Sequence, residues 1–140
     1  MAAWAFVALG SNLGDRAEYL AFGRSGLAAL PETSLVAASE IEETAALGPQ
    51  PQAPYLNQMV LLKTALSPRE LLAACAAIER AAGRERGPER WGPRTLDLDI
   101  VRYDELAIAE PDLVLPHPEL PHRAFWQREL AELIPHAQSR

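Results

Sequence analysis

The stretch RWGPRTLDLDI, residues Arg90 to Ile100, ends in a strict alternation of leucine and aspartate. On a β-strand, residues two positions apart point to the same face, with their Cα atoms roughly 6.5 Å apart. Asp97 and Asp99 should therefore project together from one face of a strand. The alternating apolar residues should face a core, namely Leu96, Leu98 and Ile100. The stretch predicts an amphipathic strand that carries two adjacent carboxylates.

Two carboxylates this close repel each other unless a cation or a shared proton lies between them. Magnesium commonly binds one or two protein carboxylates together with phosphate oxygens. Two magnesium ions roughly 3.5–4 Å apart would fit between Asp97 and Asp99 and a ligand. No His or Cys lies nearby in the sequence to indicate zinc. The alternative is a solvated strand face, which is the commoner origin of an isolated Asp-x-Asp motif.

Arginines precede the two aspartates in a segment rich in glycine and proline. Arg84 and Arg94 bound this segment. Guanidinium groups bind phosphate in a bidentate manner and remain charged. Carboxylate-bound metal on one side and arginines on the other would suit a polyphosphate, whose charge must be neutralised during transfer. A mobile 84–94 loop would close over the site and exclude water; an ordinary exposed basic loop is the alternative.

Length and composition predict one domain covering residues 1–140. The chain is 49% hydrophobic and 23% charged, which is typical of globular proteins. Its formal charge of −6 argues against a general nucleic-acid binder. We expect no membrane contact, because no apolar run is long enough to cross a bilayer. We also expect no obligate protein partner. Cys75 is the single cysteine, which excludes an intramolecular disulfide and favours a cytoplasmic protein.

Hydrophobic periodicity predicts the order β-α-β-β-α-β with a C-terminal extension. This order indicates an α+β fold of the ferredoxin-like type. Ser67, Pro68 and Glu70 have the pattern of a capping box at the start of the second helix. The expected elements are strands at 4–9, 34–44, 55–66 and 95–103, helices at about 17–29 and 68–82, and a short last helix near 123–133.

Aromatic and amide side chains predict a pocket for a flat heterocycle. Tyr55 and Asn57 share one strand face, and Arg123 and Phe125 lie close together near the tail. A heterocycle sandwiched between aromatic rings would be recognised by an amide, which offers donors and an acceptor. The alternative for each aromatic residue alone is a place in the core. His117 would contact phosphate or cap a turn.

Four segments then carry a resemblance to a known family. ALGSNLGDR, ETAALGPQPQAPYLNQ, IERAAGRERGPERWGPRTLDLDI and LPHPELPHRAF occur in the order found in 6-hydroxymethyl-7,8-dihydropterin pyrophosphokinases of folate biosynthesis. The resemblance extends from about Phe6 to about Pro135. It implies a ferredoxin-like enzyme that transfers the pyrophosphoryl group of ATP to the pterin hydroxymethyl oxygen and releases AMP.

The resemblance also implies roles for individual residues. Asp97 and Asp99 resemble the ligands of two magnesium ions bound with ATP, and Arg84 and Arg94 resemble arginines that assist transfer. The residues that resemble the pterin site are Thr44, Leu47, Tyr55, Asn57, Trp91 and Phe125. The residues that resemble the nucleotide side, besides Arg84 and Arg94, are Glu79, Ile100, His117 and Arg123. The chain departs from the family pattern at Ala76, Gly87 and Pro118, and these departures concern ATP affinity rather than the reaction.

A second function class is compatible with the predicted fold. A ferredoxin-like module without catalysis would bind a small ligand or a partner subunit, since this topology hosts many activities. The set of two aspartates and two arginines favours the enzyme, because a binding module has no need for paired metal-binding carboxylates opposite arginines. A nucleic-acid-binding sheet is disfavoured by the acidic composition.

Overall fold

The computed structural model describes residues 2–45, 53–83 and 95–138 of the chain. These residues form an α+β fold with an antiparallel sheet and three α-helices within the described ranges. The strands are β1 (Ala3–Ser11), β2 (Thr33–Ala38), β3 (Glu42–Thr44), β4 (Tyr55–Thr64), β5 (Asp97–Tyr103), β6 (Ile108–Glu110) and β7 (Leu113–Leu115), and the helices are α1 (Arg16–Ala28), α2 (Pro68–Ala81) and α3 (Ala124–Gln138).

The main sheet has the strand order β2-β4-β1-β5, and β3 pairs with β4 beyond the end of β2. All of these pairings are antiparallel. The long central strands β1 and β4 pair along nine residues, from Ala3 opposite Thr64 to Ser11 opposite Leu56. The strand that carries the two aspartates, β5, therefore lies beside β1 at one edge of the sheet.

The two faces of the sheet have different coverings. One face packs against α1 and α2 through an apolar cluster that includes Val7, Leu9, Leu98 and Ile100. The other face packs against α3 through a smaller cluster whose strand residues are Phe6, Ala8, Met59, Leu61 and Val101. Because side chains alternate along each strand, residues two positions before or after these on the same strand face the same side of the sheet as α3.

Local sequence signals explain the ends of α1 and α2. The side chain of Asp15 accepts a hydrogen bond from the Glu18 amide and caps α1. Ser67 and Glu70 form the expected capping box at the start of α2. Gly83, just after α2, has φ +86°, a left-handed conformation that glycine adopts without steric cost. These features confirm the prediction for the second helix.

The expected single strand at 34–44 is wrong, because the chain is interrupted between β2 and β3. Ser39 lies at the interruption, where its hydroxyl accepts from the Met59 amide and its carbonyl accepts from the Gln58 side chain. The Ser39 side chain thus helps to hold the chain to β4. Serine side chains commonly compete with the backbone hydrogen bonds of a strand in this way. The pattern of apolar residues carries no sign of this change.

The C-terminal extension holds more regular structure than expected. Strands β6 and β7 form a hairpin across the turn at Pro111 and Asp112. The guanidinium of Arg69 on α2 contacts Glu110 and Asp112 and ties the hairpin to the helix. The last helix continues to Gln138, with Pro135 inside it, although a proline removes one helical hydrogen bond.

No helix in residues 2–45, 53–83 or 95–138 combines the length and the apolar character needed to cross a membrane.

A buried carboxyl group lies under α3. Glu129 is only 1% exposed, and neither carboxyl oxygen accepts a hydrogen bond from a described group. Burial, and next the neighbouring Glu42, raise the pKa of Glu129 to about 9. Burial acts in the same direction on Glu42, but the hydrogen bond from Arg128 and the neighbouring Glu129 acid hold the pKa of Glu42 below its ordinary value. At neutral pH Glu129 is therefore a neutral acid beside the Glu42 carboxylate.

We expect the stability that Glu129→Gln gains over the parent protein to increase as the pH rises. In the unfolded chain Glu129 loses its proton near pH 4.5, whereas the folded protein keeps it until about pH 9. Between these values the folded state binds more protons, so stability falls as pH rises and is level above the window. The upper limit is about 1.4 kcal/mol per pH unit. Thermal unfolding from pH 5 to pH 9 measures this slope.

Glu105→Gln is the matched control, because this carboxylate is 91% exposed. It should leave the pH dependence of the unfolding temperature unchanged. A Glu129→Gln protein with the same pH slope as the parent would contradict the buried neutral acid.

Candidate functional site

Polar residues continue the α3 face of the sheet beyond the apolar cluster. One row runs across four strands, with Asp97 opposite Gly10, Gly10 opposite Asn57 and Asn57 opposite Glu42. Side chains directly opposite each other in an antiparallel pair lie on the same face. The next row along β5 places Asp99 opposite Ala8, which belongs to the apolar cluster. We call this face the polar rows, defined by Asp97, Asp99, Gly10, Asn57 and Tyr55.

The predicted alternation of β5 is confirmed. Leu96, Leu98 and Ile100 are buried against α1 and α2, while Asp97 and Asp99 are partly exposed. The hydroxyl of Tyr55 donates to Asp97 Oδ2 across 3.4 Å. His117 Nε2 lies 3.7 Å from Asp99 Oδ1, a distance that gives electrostatic attraction rather than a direct hydrogen bond.

Glu79 holds the backbone between the two aspartates. Its Oε2 accepts from the Leu98 amide across 2.7 Å, and the residue is only 9% exposed. Since β5 has no strand on its other side in the described sheet, this side chain occupies part of the strand edge. Ile100 directs its side chain into the core with α1 and α2.

Three residues of the predicted heterocycle pocket lie together on β3 and β4. Thr44 is directly opposite Tyr55, and Asn57 Nδ2 donates to Thr44 Oγ1 across 2.6 Å. Gly10 lies beneath them: a Cβ at this position would be 3.3 Å from Asn57 Oδ1 and 3.3 Å from a Tyr55 ring carbon. The bare backbone of Gly10 therefore lets the Asn57 and Tyr55 side chains pack closely against β1. Sequence reasoning missed Gly10, whose signal is a glycine within an otherwise apolar strand.

The remaining described candidates surround Trp126 near the start of α3. The Trp126 ring packs perpendicular to the His117 ring, with centroids 4.9 Å apart. The Arg123 guanidinium carbon lies 4.4 Å from the Trp126 ring centroid. Phe125 lies 6.3 Å from Trp126 in an edge-to-face arrangement and is partly buried. His117, Arg123 and Phe125 thus share a neighbour that the sequence analysis did not identify.

The glycine-serine-asparagine turn after β1 holds the segment that leads into β4. Asn12 Nδ2 donates to the Ala53 carbonyl across 3.2 Å. Arg16 donates to the Pro54 carbonyl and to Glu43, at 2.9 and 2.8 Å. These bonds fix the entry of the chain to Tyr55. Local sequence patterns do not reveal these bonds, because the partners lie 27 to 41 residues away in the sequence.

Four predicted site residues lie outside the described residues, namely Leu47, Arg84, Trp91 and Arg94. Their assignments, and the closing of the 84–94 loop, stay predictions.

The donor set on β5 fits magnesium. Asp97 and Asp99 offer only oxygen ligands, which magnesium prefers, and their partial exposure leaves room for phosphate and water. In the three described ranges, no group of three or more His, Cys, Asp or Glu side chains is arranged to hold a metal by itself. A two-carboxylate site of this kind matches a cation that keeps several of its other ligands from water and phosphate.

Comparisons with known proteins agree on one family. The family model of 7,8-dihydro-6-hydroxymethylpterin-pyrophosphokinase matches residues 6–135. Three curated relatives carry the name 2-amino-4-hydroxy-6-hydroxymethyldihydropteridine pyrophosphokinase. The protein from Methylorubrum extorquens is 42% identical, over 94% of this chain and 82% of its own. That from Pseudomonas aeruginosa is 44% identical, over 93% and 80%, and that from Bacillus subtilis is 43% identical, over 92% and 77%.

Replacement of Glu79 should weaken the attachment of β5, and the effect should be larger when no acceptor oxygen remains at position 79. We expect Glu79→Ala to destabilise the protein by about 1–3 kcal/mol, because the buried Leu98 amide loses a charged partner. Glu79→Gln keeps an acceptor oxygen and should cost less. Denaturant unfolding gives the stability, and hydrogen exchange of the Leu98 amide gives the local effect. Equal protection of that amide in Glu79→Ala and the parent protein would contradict this role.

Proposed function

The chain belongs to the 7,8-dihydro-6-hydroxymethylpterin-pyrophosphokinase family, and we propose that the polar rows are where it performs the family's reaction. The reaction transfers the pyrophosphoryl group of ATP to the hydroxymethyl group of 6-hydroxymethyl-7,8-dihydropterin, in folate biosynthesis. The products are AMP and the pterin diphosphate. The observation that carries the assignment is the single row that joins Asp97, Gly10 and Asn57.

Asp97 and Asp99 are the magnesium ligands in this proposal. The family uses ATP, generally with magnesium, and two ions are proposed here because two adjacent carboxylates face the same side of β5. Bound magnesium would neutralise charge on the phosphate oxygens. The hydrogen bond from Tyr55 restrains Asp97. His117 Nδ1 accepts from the Glu119 amide at 3.0 Å, so a neutral imidazole carries its proton on Nε2, toward Asp99.

The pterin lies over Gly10 in this proposal, between β4 and the start of α3. Asn57 already donates to Thr44, and its Oδ1 faces Gly10, where it offers an acceptor to the ring. The partly buried Phe125 supplies an aromatic surface. Thr44 and Leu47 would contribute backbone groups, and Trp91 would cover the site.

The nucleotide lies along the β5 edge and toward α3. His117 and Arg123 would contact phosphate or ribose, and the Ile100 backbone would contact the base. Glu79 acts on the nucleotide side indirectly, since its carboxylate is engaged with the Leu98 amide. Arg84 and Arg94 would stabilise the transferred group, as their resemblance to the family implies.

The chemistry needs little from the protein except position and charge. The pterin hydroxyl oxygen forms a bond to the β-phosphorus of ATP, and the bond from that phosphorus to the oxygen bridging to the α-phosphorus breaks. AMP leaves with that oxygen, and the hydroxyl proton is lost to solvent. No described side chain of the polar rows is required as a general base, so alignment and charge neutralisation supply most of the rate.

The finer architecture and location are also part of the proposal. The strand order β2-β4-β1-β5 with all-antiparallel pairing supports a ferredoxin-like fold, and the chain is proposed to be one domain over residues 1–140. Cys75 is a buried free thiol, and burial, followed by Glu79 and Asp99, raises its pKa to about 12. A cytoplasmic location is proposed, since a single cysteine forms no intramolecular disulfide. We propose no nucleic-acid, membrane or obligate protein partner.

The product assay tests the reaction directly. Purified protein with magnesium, ATP and the dihydropterin alcohol should form AMP and pterin diphosphate in equal amounts. Chromatography of the nucleotides distinguishes AMP from ADP. ADP as the product would overturn the reaction type, and the absence of any product would favour a binding module.

Asp97→Asn provides the matched test of the metal assignment within the same assay. Removal of one carboxylate charge should lower turnover by roughly a thousandfold, because charge neutralisation by the metal is worth several kcal/mol. The substitution keeps the side-chain volume, so the fold should persist in circular dichroism. Full activity of this variant would exclude Asp97 as a metal ligand.

Gly10→Ala should weaken pterin binding selectively. The added methyl carbon would lie 3.3 Å from both Asn57 Oδ1 and a Tyr55 ring carbon and would displace these side chains; overpacking of this kind costs about 1–3 kcal/mol. We expect the KM for the pterin to rise about tenfold with a smaller change in the KM for ATP. Gly26→Ala is the control, because its Cβ would meet Ile78 at 3.1 Å in the core away from the polar rows. Similar pterin KM values in both variants would contradict the proposed pterin position.

A further inference from the structure

Trp126 joins two predicted nucleotide-side residues that come from different parts of the fold. It lies in the first turn of α3, is 2% exposed, and packs in the apolar cluster with Ala8 and Met59. The same ring contacts His117 and Arg123. Trp126 therefore connects the core beneath α3 to the residues at the rim of the polar rows.

His117 is fixed from three directions. Its backbone amide donates to the Val101 carbonyl across 2.9 Å, which attaches this segment to the edge of β5. Its Nδ1 accepts from the Glu119 amide. The perpendicular contact with Trp126, at 87° between the rings, restricts rotation of the imidazole about its remaining bond. Nε2 is thereby held toward Asp99, at 3.7 Å.

Arg123 occupies an electrostatically unfavourable place that needs compensation. Its carbonyl accepts from the Trp126 and Gln127 amides, so the residue begins α3, where the helix dipole disfavours a cation. Its Nε is buried and donates no hydrogen bond to a described group, and Glu119 Oε1 is 3.9 Å away. The face of Trp126, 4.4 Å from the guanidinium carbon, attracts the cation through the ring quadrupole.

We infer that Trp126 is a positioning residue for the nucleotide, which holds the Arg123 guanidinium and the His117 imidazole ready for a phosphate-bearing ligand beside Asp99. The inference rests on the proposed function, in which Arg123 and His117 contact ATP. It goes further by assigning a role to a buried aromatic residue that touches neither metal nor substrate. A preformed arrangement lowers the ordering cost of binding.

If Trp126 were an ordinary core residue, its replacement would give a different result. A leucine at position 126 would still be apolar and would fill much of the same space, but it offers neither a ring edge for His117 nor a quadrupole for Arg123. A structural role therefore predicts loss of stability alone. A positioning role predicts, in addition, a loss of nucleotide affinity that an equally destabilised core variant does not show.

The test compares Trp126→Leu, Trp126→Phe and Leu133→Ala in the full chain. Leu133 is a buried member of the same apolar cluster, and truncation there should destabilise α3. Titration calorimetry with magnesium and a non-hydrolysable ATP analogue measures the nucleotide Kd, and steady-state kinetics measure the KM for the pterin. We expect the nucleotide Kd of Trp126→Leu to rise about tenfold and that of Trp126→Phe by about threefold. The pterin KM should rise by a smaller factor, because Phe125 makes only an edge-to-face contact with Trp126, and Leu133→Ala should keep the parent Kd.

Trp4→Leu controls for the loss of a tryptophan that contacts a cation. Trp4 on β1 carries Lys63 at 5.0 Å from its ring centroid and is not part of the polar rows. This variant should keep the nucleotide Kd. An Arg123→Ala change should also make the further effect of Trp126→Leu much smaller, since the two substitutions would remove the same interaction.

Nuclear magnetic resonance of the imidazoles supplies a readout that needs no ligand. The chain has three histidines, and only His117 is described in contact with an aromatic ring. Trp126→Leu should shift the His117 ring signals and reduce the difference between the chemical shifts of its two ring nitrogens, because the imidazole is held less firmly. Leu133→Ala should leave these signals unchanged. Unchanged His117 signals, or equal nucleotide Kd values in Trp126→Leu and Leu133→Ala, would overturn the inference. Failure of the parent protein to bind the nucleotide would instead overturn the proposed function.

Discussion

The alternation of side chains along β5 is the constraint on which the rest of the site depends. Leu98 and Ile100 are anchored in the core with α1 and α2, so Asp97 and Asp99 have to face the other side of the sheet. Pairing with β1 and the bond from Glu79 to the Leu98 amide prevent the strand from slipping. A shift by one residue would exchange the two faces and would bury both carboxylates.

The partial cover that α3 gives to its face of the sheet creates the site. Phe6, Ala8, Met59 and Leu61 lie in the rows that pack with α3, whereas Gly10 and Asn57 lie in the adjoining polar rows. The change from apolar to polar rows therefore coincides with the end of α3 that carries Phe125 and Trp126. The same helix carries Glu129 as a buried neutral acid. This acid lowers the stability of the protein when the pH is above the pKa of Glu129 in the unfolded chain, so the helix is not optimised for stability alone.

Sequence patterns predicted those features that depend on local alternation and caps. The faces of β5 and the start of α2 follow from residues within a few positions of one another, and both are confirmed. The break at Ser39 and the hairpin of β6 and β7 depend on distant partners, Met59 and Arg69, which local patterns do not contain. Within the site, the aspartates follow from their spacing, but Gly10 and Trp126 act through neighbours that only the folded chain brings near.

In the proposed reaction, sheet geometry would also determine the separation of the two substrates. Asp97, Gly10 and Asn57 lie on three successive strands, and neighbouring strands are roughly 4.8 Å apart. Asp97, proposed for the metal, and Asn57, proposed for the pterin, are consequently about 10 Å apart in the backbone plane, with glycine between them. In-line transfer requires the attacking hydroxyl and the β-phosphorus to meet within this interval. Because hydrogen-bonded strands set the interval, the sheet itself would align the two reactants in the proposed reaction.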